Sequence, residues 1–106
     1  MRTIAALLIS GVLTSGAVLA ADAAAGQAVY AKSCKGCHGA DGTANPAMAK
    51  MMKVDMKALG SADVQAESDA DMKAVITNGK GKMKPIASVT GASVDNVVAY
   101  VRTLKK

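Results

Sequence analysis

The sequence has no tryptophan, no phenylalanine and only two tyrosines among its 106 residues. A small chain that is poor in aromatic side chains has few large groups to fill a core, so it needs a staple or an internal filler. The shortage also argues against nucleic-acid binding, which usually combines a dense basic stripe with aromatic platforms. We therefore expect a small domain with no nucleic-acid partner and with a core completed by some other group.

Histidine and cysteine are also scarce, since the sequence contains one histidine and two cysteines. A structural zinc site needs four ligands, and these three fall short unless a carboxylate or a second chain contributes. A thioredoxin-like redox pair would need strands alternating with helices, whereas strand signals are weak in this sequence. A disulfide across two intervening residues would close a small, strained loop and would leave the histidine unexplained.

All three residues fall in one stretch, Cys34-Lys35-Gly36-Cys37-His38. Two cysteines separated by two residues and followed directly by histidine form the pattern to which a c-type haem is covalently attached. The spacing lets the backbone curl so that both sulfur atoms face the macrocycle, and the histidine can offer one ring nitrogen to the iron. We therefore predict one covalently bound haem c, attached through Cys34 and Cys37 and ligated by His38.

The iron would need a second axial ligand, and a methionine thioether there would raise the reduction potential and exclude other ligands. Six methionines follow Met1. Met83 lies in a segment rich in glycine, lysine and proline, which cannot form a long helix, so its side chain is free to approach the iron. We predict Met83 as the ligand. The alternative ligands lie at helical spacing, where packing around a flat ring is the better explanation: Met48, Met51, Met52 and Met56.

The first twenty residues have the pattern of a secretory signal peptide. A short positive start, which includes Arg2, precedes an uncharged run of apolar and small residues. Small residues allow cleavage after Ala20 or after Ala23, and an uncleaved membrane anchor is the alternative. We predict a leader at residues 1–20 and one domain at 21–106. Without the leader, twelve basic and eight acidic residues remain, a net charge of +4.

Helix signals recur through the predicted domain, and no repeat or linker interrupts them. The first helix is predicted over about residues 23–32, and Asn45 and Pro46 predict the start of a short helix that continues through Met56. Ser68 and Gly79 are typical of the start and end of a third helix. The last helix is predicted to begin with Ser93 as its cap and to present an apolar face through Leu104.

Three segments of the sequence together carry a family resemblance. They are Gly26 and Tyr30 before Cys34-Lys35-Gly36-Cys37-His38-Gly39, then Gly79-Lys80-Gly81-Lys82-Met83, and finally Val97-Val98-Ala99-Tyr100-Val101-Arg102. With these segments the chain resembles the small bacterial class I cytochromes c over essentially the whole predicted domain. In many members a proline directly follows the ligand methionine, whereas here Lys84 comes before Pro85.

The resemblance implies an all-α fold of three to five short helices wrapped around one haem, with the first and last helices crossing. By position, Gly26 and Tyr30 would pack against Val97 and Tyr100. The family's His/Met ligation maps onto His38 and Met83. A proline carbonyl commonly orients the ligand histidine in this family, and Pro46 is the candidate here.

The function predicted from these features is that of a soluble periplasmic electron carrier, a monomer that is not an enzyme and does not insert stably into the membrane once the leader is cleaved. Lysines around the predicted ligand, Lys80, Lys82 and Lys84, with Lys35 beside the attachment site, would steer it to redox proteins with acidic docking patches. These lysines could equally be ordinary solvated residues. One alternative is a haem sensor or peroxidase-like module, which would lack a second histidine for acid-base chemistry. Another is an electron-relay subunit tethered to a membrane enzyme.

Overall fold

The computed structural model describes residues 21–106, so the predicted leader at 1–20 lies outside the described residues. Within residues 21–106 the secondary structure consists of six helices and one isolated β-bridge, without a strand. The helices are α1 (Ala23–Ser33), α2 (Lys35–His38), α3 (Pro46–Met52), α4 (Ala62–Gln65), α5 (Asp69–Asn78) and α6 (Ala92–Thr103). The predicted all-α class is confirmed, and two of the helices, α2 and α4, are single turns of four residues. In this part of the chain no helix is long and apolar enough to cross a membrane.

The starts of three helices follow the capping signals in the sequence. The carboxylate of Asp22 accepts hydrogen bonds from the Ala24 and Ala25 amides at the start of α1, at 2.9 and 3.2 Å. Asn45 accepts from the Ala47 amide at 3.1 Å, and Pro46 is the first residue of α3, as predicted. Ser68 accepts from the Asp71 amide at 3.1 Å at the start of α5. Side-chain oxygens thus satisfy amides that lack a partner inside their own helix.

Two predicted helix boundaries are wrong. Helix α3 ends at Met52 rather than continuing through Met56, because Lys53 adopts a left-handed conformation (φ 54°) and the Val54 amide bonds back to the Ala49 carbonyl at 3.0 Å. This six-to-one bond is a helix-ending motif that usually requires glycine. Helix α6 begins at Ala92 with Gly91 as its cap, since the φ of 57° at Gly91 turns the chain before Ser93 is reached.

The first and last helices cross in close contact at Gly26. A β-carbon built on Gly26 would collide with the backbone carbonyl of Asn96 and would lie 3.0 Å from the Val97 nitrogen. The Asn96 side chain also accepts a hydrogen bond from the Asp22 amide at 2.8 Å, which joins the start of α1 to α6. This crossing, implied by the resemblance, is confirmed.

The hydrophobic core continues from this crossing. Tyr30, 2% exposed, and Val97, 1% exposed, lie at its centre, and the Tyr30 and Tyr100 rings pack with centroids 5.1 Å apart. The buried hydrophobic side chains among the described residues are Tyr30, Met72, Ile76, Val89, Val94, Val97, Val98 and Val101. Only one of them is aromatic, so the core is built from small β-branched residues.

We predict that Gly26→Ala destabilises the protein. Alanine would gain about 1 kcal/mol in helix propensity over glycine, but its methyl group would have to push α6 away, since the group it meets is backbone that cannot rotate aside. The expected result is a net loss of at least about 2 kcal/mol in the free energy of unfolding, measured by guanidinium denaturation of the haem-loaded protein.

Gly36→Ala is the matched control, because Gly36 is also helical and a β-carbon there meets nothing within 4 Å. Its free energy of unfolding should be unchanged or slightly raised. Equal stability of the Gly26→Ala and Gly36→Ala proteins would contradict a close helix crossing.

Candidate functional site

The cysteine and histidine side chains are brought together by one turn of helix. Helix α2 closes with hydrogen bonds from the His38 amide to the Cys34 carbonyl at 3.0 Å and from the Gly39 amide to the Lys35 carbonyl at 2.9 Å. Residues three and four apart on a helix share a face, so Cys37 and His38 lie on the same side as Cys34. The curl that the spacing predicts is therefore a helical turn.

The segment after His38 folds back over this turn. The Ala44 amide donates to the His38 carbonyl and the Asn45 amide to the Cys37 carbonyl, both at 2.9 Å. The Asn45 side chain donates to the Gly36 carbonyl at 3.2 Å, while its oxygen caps α3. These bonds satisfy carbonyls at the end of α2, and they fix the orientation of the turn that carries the two cysteines and the histidine.

Tyr30 ties the same turn to the core. Its hydroxyl donates to the Gly39 carbonyl at 2.6 Å. Burial raises the pKa of Tyr30 to about 12, and the neighbouring Cys34 adds a smaller effect in the same direction. The hydroxyl therefore remains protonated and remains a donor at neutral pH.

The turn that carries Met83 is rigidly built. Lys80 and Met83 exchange two backbone hydrogen bonds, of 2.9 and 3.0 Å, around Gly81, whose φ is +58°. A β-carbon on Gly79 would lie 2.6 Å from the Met83 carbonyl oxygen and 2.9 Å from Pro85 Cδ, so the turn packs back onto the end of α5. The turn remains compact although Lys84 separates Met83 from the proline.

One cavity of about 700 Å³ brings all four predicted site residues together: Cys34, Cys37, His38 and Met83. Its volume is within the range of roughly 300–1,000 Å³ that is usual for cofactor sites. Apolar side chains such as Leu59, Val64 and Ile86 contribute much of its surface, and charged side chains also line it. Two thiols, an imidazole and a thioether thus lie on the wall of one cavity. This arrangement suits a flat, mostly apolar group with a central metal ion.

The imidazole of His38 provides a direct test of that fit. Its Nδ1 atom is buried and has no hydrogen-bond partner, which is uncommon for a buried polar atom. The predicted hydrogen bond to the Pro46 carbonyl is therefore absent from the structure. Burial lowers the pKa of His38, so the ring is neutral at pH 7 and keeps a nitrogen lone pair for a metal ion. The residues present therefore fit an iron-bearing group such as haem.

The two cysteines are free thiols and do not resemble a catalytic pair. Burial raises the pKa of the Cys34 thiol, and the nearby Cys37 raises it further. A thioredoxin-like pair needs a lowered thiol pKa, because the thiolate is the reactive form. A zinc site is equally disfavoured, since residues 21–106 contain no cluster of three or more His, Cys, Asp or Glu side chains that could hold a metal ion.

The remaining methionines divide by location. Met48, Met52 and Met56 line the large cavity, as expected for side chains that pack around a ring. Met72 is buried in the core, and Met51 is 69% exposed and is not among the residues that line the large cavity. Met56 reaches the cavity from an irregular segment and not from the helix predicted for it.

Sequence reasoning missed the wall formed by residues 59–67. Leu59, Val64 and Glu67 line the cavity from in and around α4. The sequence signal for α4 is Ser61, a residue type typical of helix caps. In the structure its hydroxyl accepts a hydrogen bond from the Val64 amide at 3.4 Å. The partners of this wall, in contrast, lie more than thirty positions away in α6, and no local pattern indicates them.

Three comparisons with known proteins find similarity to c-type cytochromes. The model of the family described as cytochrome c oxidase, cbb3-type, subunit III matches residues 21–101. Cytochrome c6 of Rippkaea orientalis is 36% identical over 95 residues, which cover 85% of this chain and 78% of that protein. Cytochrome c6 of a Synechocystis species is 34% identical over 98 residues, covering 90% of this chain and 77% of that protein. Among solved structures, the c-type cytochrome KustC0563 superimposes with a TM-score of 0.64 at 28% identity, covering 76% of this chain and 98% of that one.

Proposed function

Since the chain belongs to the small monohaem class I cytochromes c, which carry covalently bound haem c, we propose that it is a soluble periplasmic protein that carries single electrons between redox proteins. It is an electron carrier rather than an enzyme. The observation that carries the proposal is the shared cavity, where Cys34, Cys37, His38 and Met83 meet.

Haem supplies one iron that can gain and lose an electron. Cys34 and Cys37 would hold the haem by thioether bonds, and the neutral imidazole of His38 would supply one axial nitrogen to the iron. The Met83 thioether would supply the other axial position. With both positions taken by the protein, no coordination site would be left for a substrate, and the protein would supply the same ligands in both oxidation states.

The surrounding residues support this role. The mostly apolar surface of the cavity suits the flat face of a haem, and a thioether ligand would raise the reduction potential. The β-bridge between Lys80 and Met83 closes a short turn, which would limit movement of the thioether when the iron changes oxidation state. A ligand-binding or peroxidase-like module would need an open iron site and an acid-base helper, but His38 is the only histidine of the sequence.

We predict that Met83→Ala abolishes the sulfur-to-iron absorption band of the oxidised protein. The same substitution should let carbon monoxide bind the reduced protein rapidly and stoichiometrically, because the axial position becomes open. Both changes are measured by visible spectroscopy of purified protein at neutral pH.

Met52→Ala is the matched control, since Met52 lines the same cavity from α3. It should keep the band and exclude carbon monoxide. Survival of the band in Met83→Ala would assign the ligand to another methionine, and rapid carbon monoxide binding by the wild type would reject a closed His/Met site.

The lysines on the Met83 turn support docking onto acidic partners. Lys80, Lys82 and Lys84 are exposed at the mouth of the cavity, and Lys35 is exposed on α2. Lys80 pairs with Glu67, but Lys82 and Lys84 take part in no ion pair among residues 21–106. Unpaired positive charge next to the cavity would attract negatively charged surfaces.

We predict that the double variant Lys82→Gln/Lys84→Gln is oxidised more slowly by ferricyanide, by about 3- to 10-fold at low ionic strength, because anion steering is lost. Oxidation by the cationic complex tris(phenanthroline)cobalt(III) should instead become faster. Stopped-flow kinetics over a range of salt concentrations measures both rates.

The control for this experiment is Lys105→Gln/Lys106→Gln, which makes the same charge change at the chain end and should alter both rates by less than twofold. Equal effects of the two double variants would show that only net charge matters and that no local steering patch exists.

Export to the periplasm is proposed from the leader pattern of residues 1–20. We predict that the haem-loaded protein isolated from cells begins at residue 21 or 24, as read by N-terminal sequencing and intact mass. Retention of residues 1–20 would instead favour a membrane-tethered relay subunit, a role that the oxidase-subunit description of the matching family makes the second candidate.

A further inference from the structure

Glu67 occupies an unusual place at the cavity. An inner cavity of about 100 Å³ shares Cys34, His38 and Met83 with the large one, and its wall is otherwise almost entirely apolar. Among the described residues that line this inner cavity, Glu67 is the only carboxylate, and no lysine or arginine accompanies it there. Glu67 also lines the large cavity, together with Lys80.

The main chain of Glu67 is held from α6. Arg102 donates from Nη2 to the Glu67 carbonyl at 2.5 Å and from Nη1 to the Gln65 carbonyl at 2.6 Å. The same guanidinium bonds to the Asp69 carboxylate at 2.9 and 3.0 Å, at the start of α5. Arg102 thus fixes the short connection between α4 and α5, and with it the position from which the Glu67 side chain extends.

The side chain of Glu67 reaches the turn that carries Met83. Its Oε1 atom lies 3.6 Å from Lys80 Nζ. Lys80 in turn exchanges two backbone hydrogen bonds with Met83, so the ion pair acts on the residue that anchors the turn. A continuous set of contacts therefore runs from Arg102 on α6, through Glu67 and Lys80, to Met83.

We propose that Glu67 is a positioning residue that ties the Met83 turn to α6 and keeps the turn closed over the cavity. The proposal rests on the assignment of Met83 as the axial ligand under Proposed function. Transient opening of the turn would separate the thioether from the iron and admit outside ligands. The Glu67–Lys80 pair opposes that opening, and Arg102 holds the main chain of Glu67, from which the carboxylate extends to Lys80.

The exposure of the two side chains sets how strongly the Glu67–Lys80 pair can stabilise the closed turn. The Glu67 side chain is 35% exposed and that of Lys80 is 70% exposed, so water weakens the pair. Pairs of this kind contribute up to about 1 kcal/mol. Loss of the pair should therefore raise the population of the open turn about 2- to 5-fold without changing which residue ligates the iron.

The test is the rate at which imidazole binds the oxidised, haem-loaded protein at pH 8, where the probe is mostly neutral and is not steered by charge. Glu67→Gln and Lys80→Gln should each bind imidazole about 2- to 5-fold faster than the wild type. In the absence of imidazole, both variants should keep the sulfur-to-iron band, which shows that the axial ligand is the same.

Asp63→Asn is the matched control. Asp63 lines the large cavity and pairs with Lys57 at 2.9 Å, but both partners lie in the same segment, and no ion pair among residues 21–106 joins either of them to the Met83 turn. Its imidazole rate should equal that of the wild type. The charge-reversed double variant Glu67→Lys/Lys80→Glu should restore a rate close to wild type, whereas Glu67→Lys alone should be the fastest of the set.

Unchanged imidazole rates in both single variants, or no restoration in the double variant, would overturn the positioning role of Glu67. Those results would leave the electron-carrier proposal intact, since that proposal fails separately, through rapid carbon monoxide binding by the wild-type protein.

Discussion

The close approach of α1 and α6 at Gly26 determines where both halves of the haem site lie. Because no side chain stands between the helices there, α1 can rest on the α6 backbone and place Tyr30 in the core. The Tyr30 hydroxyl then holds the Gly39 carbonyl, directly after the turn that carries His38. At its other end, α6 presents Arg102, which holds the wall from Gln65 to Asp69. One helix therefore supports the histidine side of the site through α1 and the methionine side through Arg102.

The same crossing explains how so small a chain can be stable with few aromatic residues. The core valines Val97, Val98 and Val101 also line the inner cavity, as do Met72 and Ile76. Core and cofactor site are thus one continuous apolar region. A small domain buries little apolar surface of its own and is only marginally stable. A bound haem would add contacts to these side chains. Attachment through Cys34 and Cys37 would also make this filler permanent.

Local features of the fold could be predicted from the sequence, whereas long-range contacts could not. The turn at Cys34–His38, the caps Asn45 and Ser68, and the need for glycine at position 26 follow from spacing, capping and family resemblance, and the structure bears out these local features. The end of α3 at Met52 was not predicted, because Lys53 adopts a left-handed conformation that is usually found at glycine. The start of α6 at Ala92 was not predicted either, because Gly91 turns the chain before Ser93. The hydrogen bonds of Arg102 join residues 33 to 37 positions apart in the sequence. A helical pattern does not indicate which distant carbonyl groups an arginine side chain will bind.

The charges around the cavity mouth show how one short turn can serve two purposes. Asp55, Asp63 and Glu67 contribute acidic side chains from one segment, whereas Lys80, Lys82 and Lys84 contribute basic ones from the Met83 turn. Only Glu67 and Lys80 pair across the two segments. Charge that is paired across the mouth is partly cancelled at a distance and would act mainly on the closure of the turn. Unpaired charge at Lys82 and Lys84 extends its field into solvent, where it acts on approaching molecules. Because the two sets of lysines differ, the closure role proposed for Lys80 and the docking role proposed for Lys82 and Lys84 would vary independently in this protein.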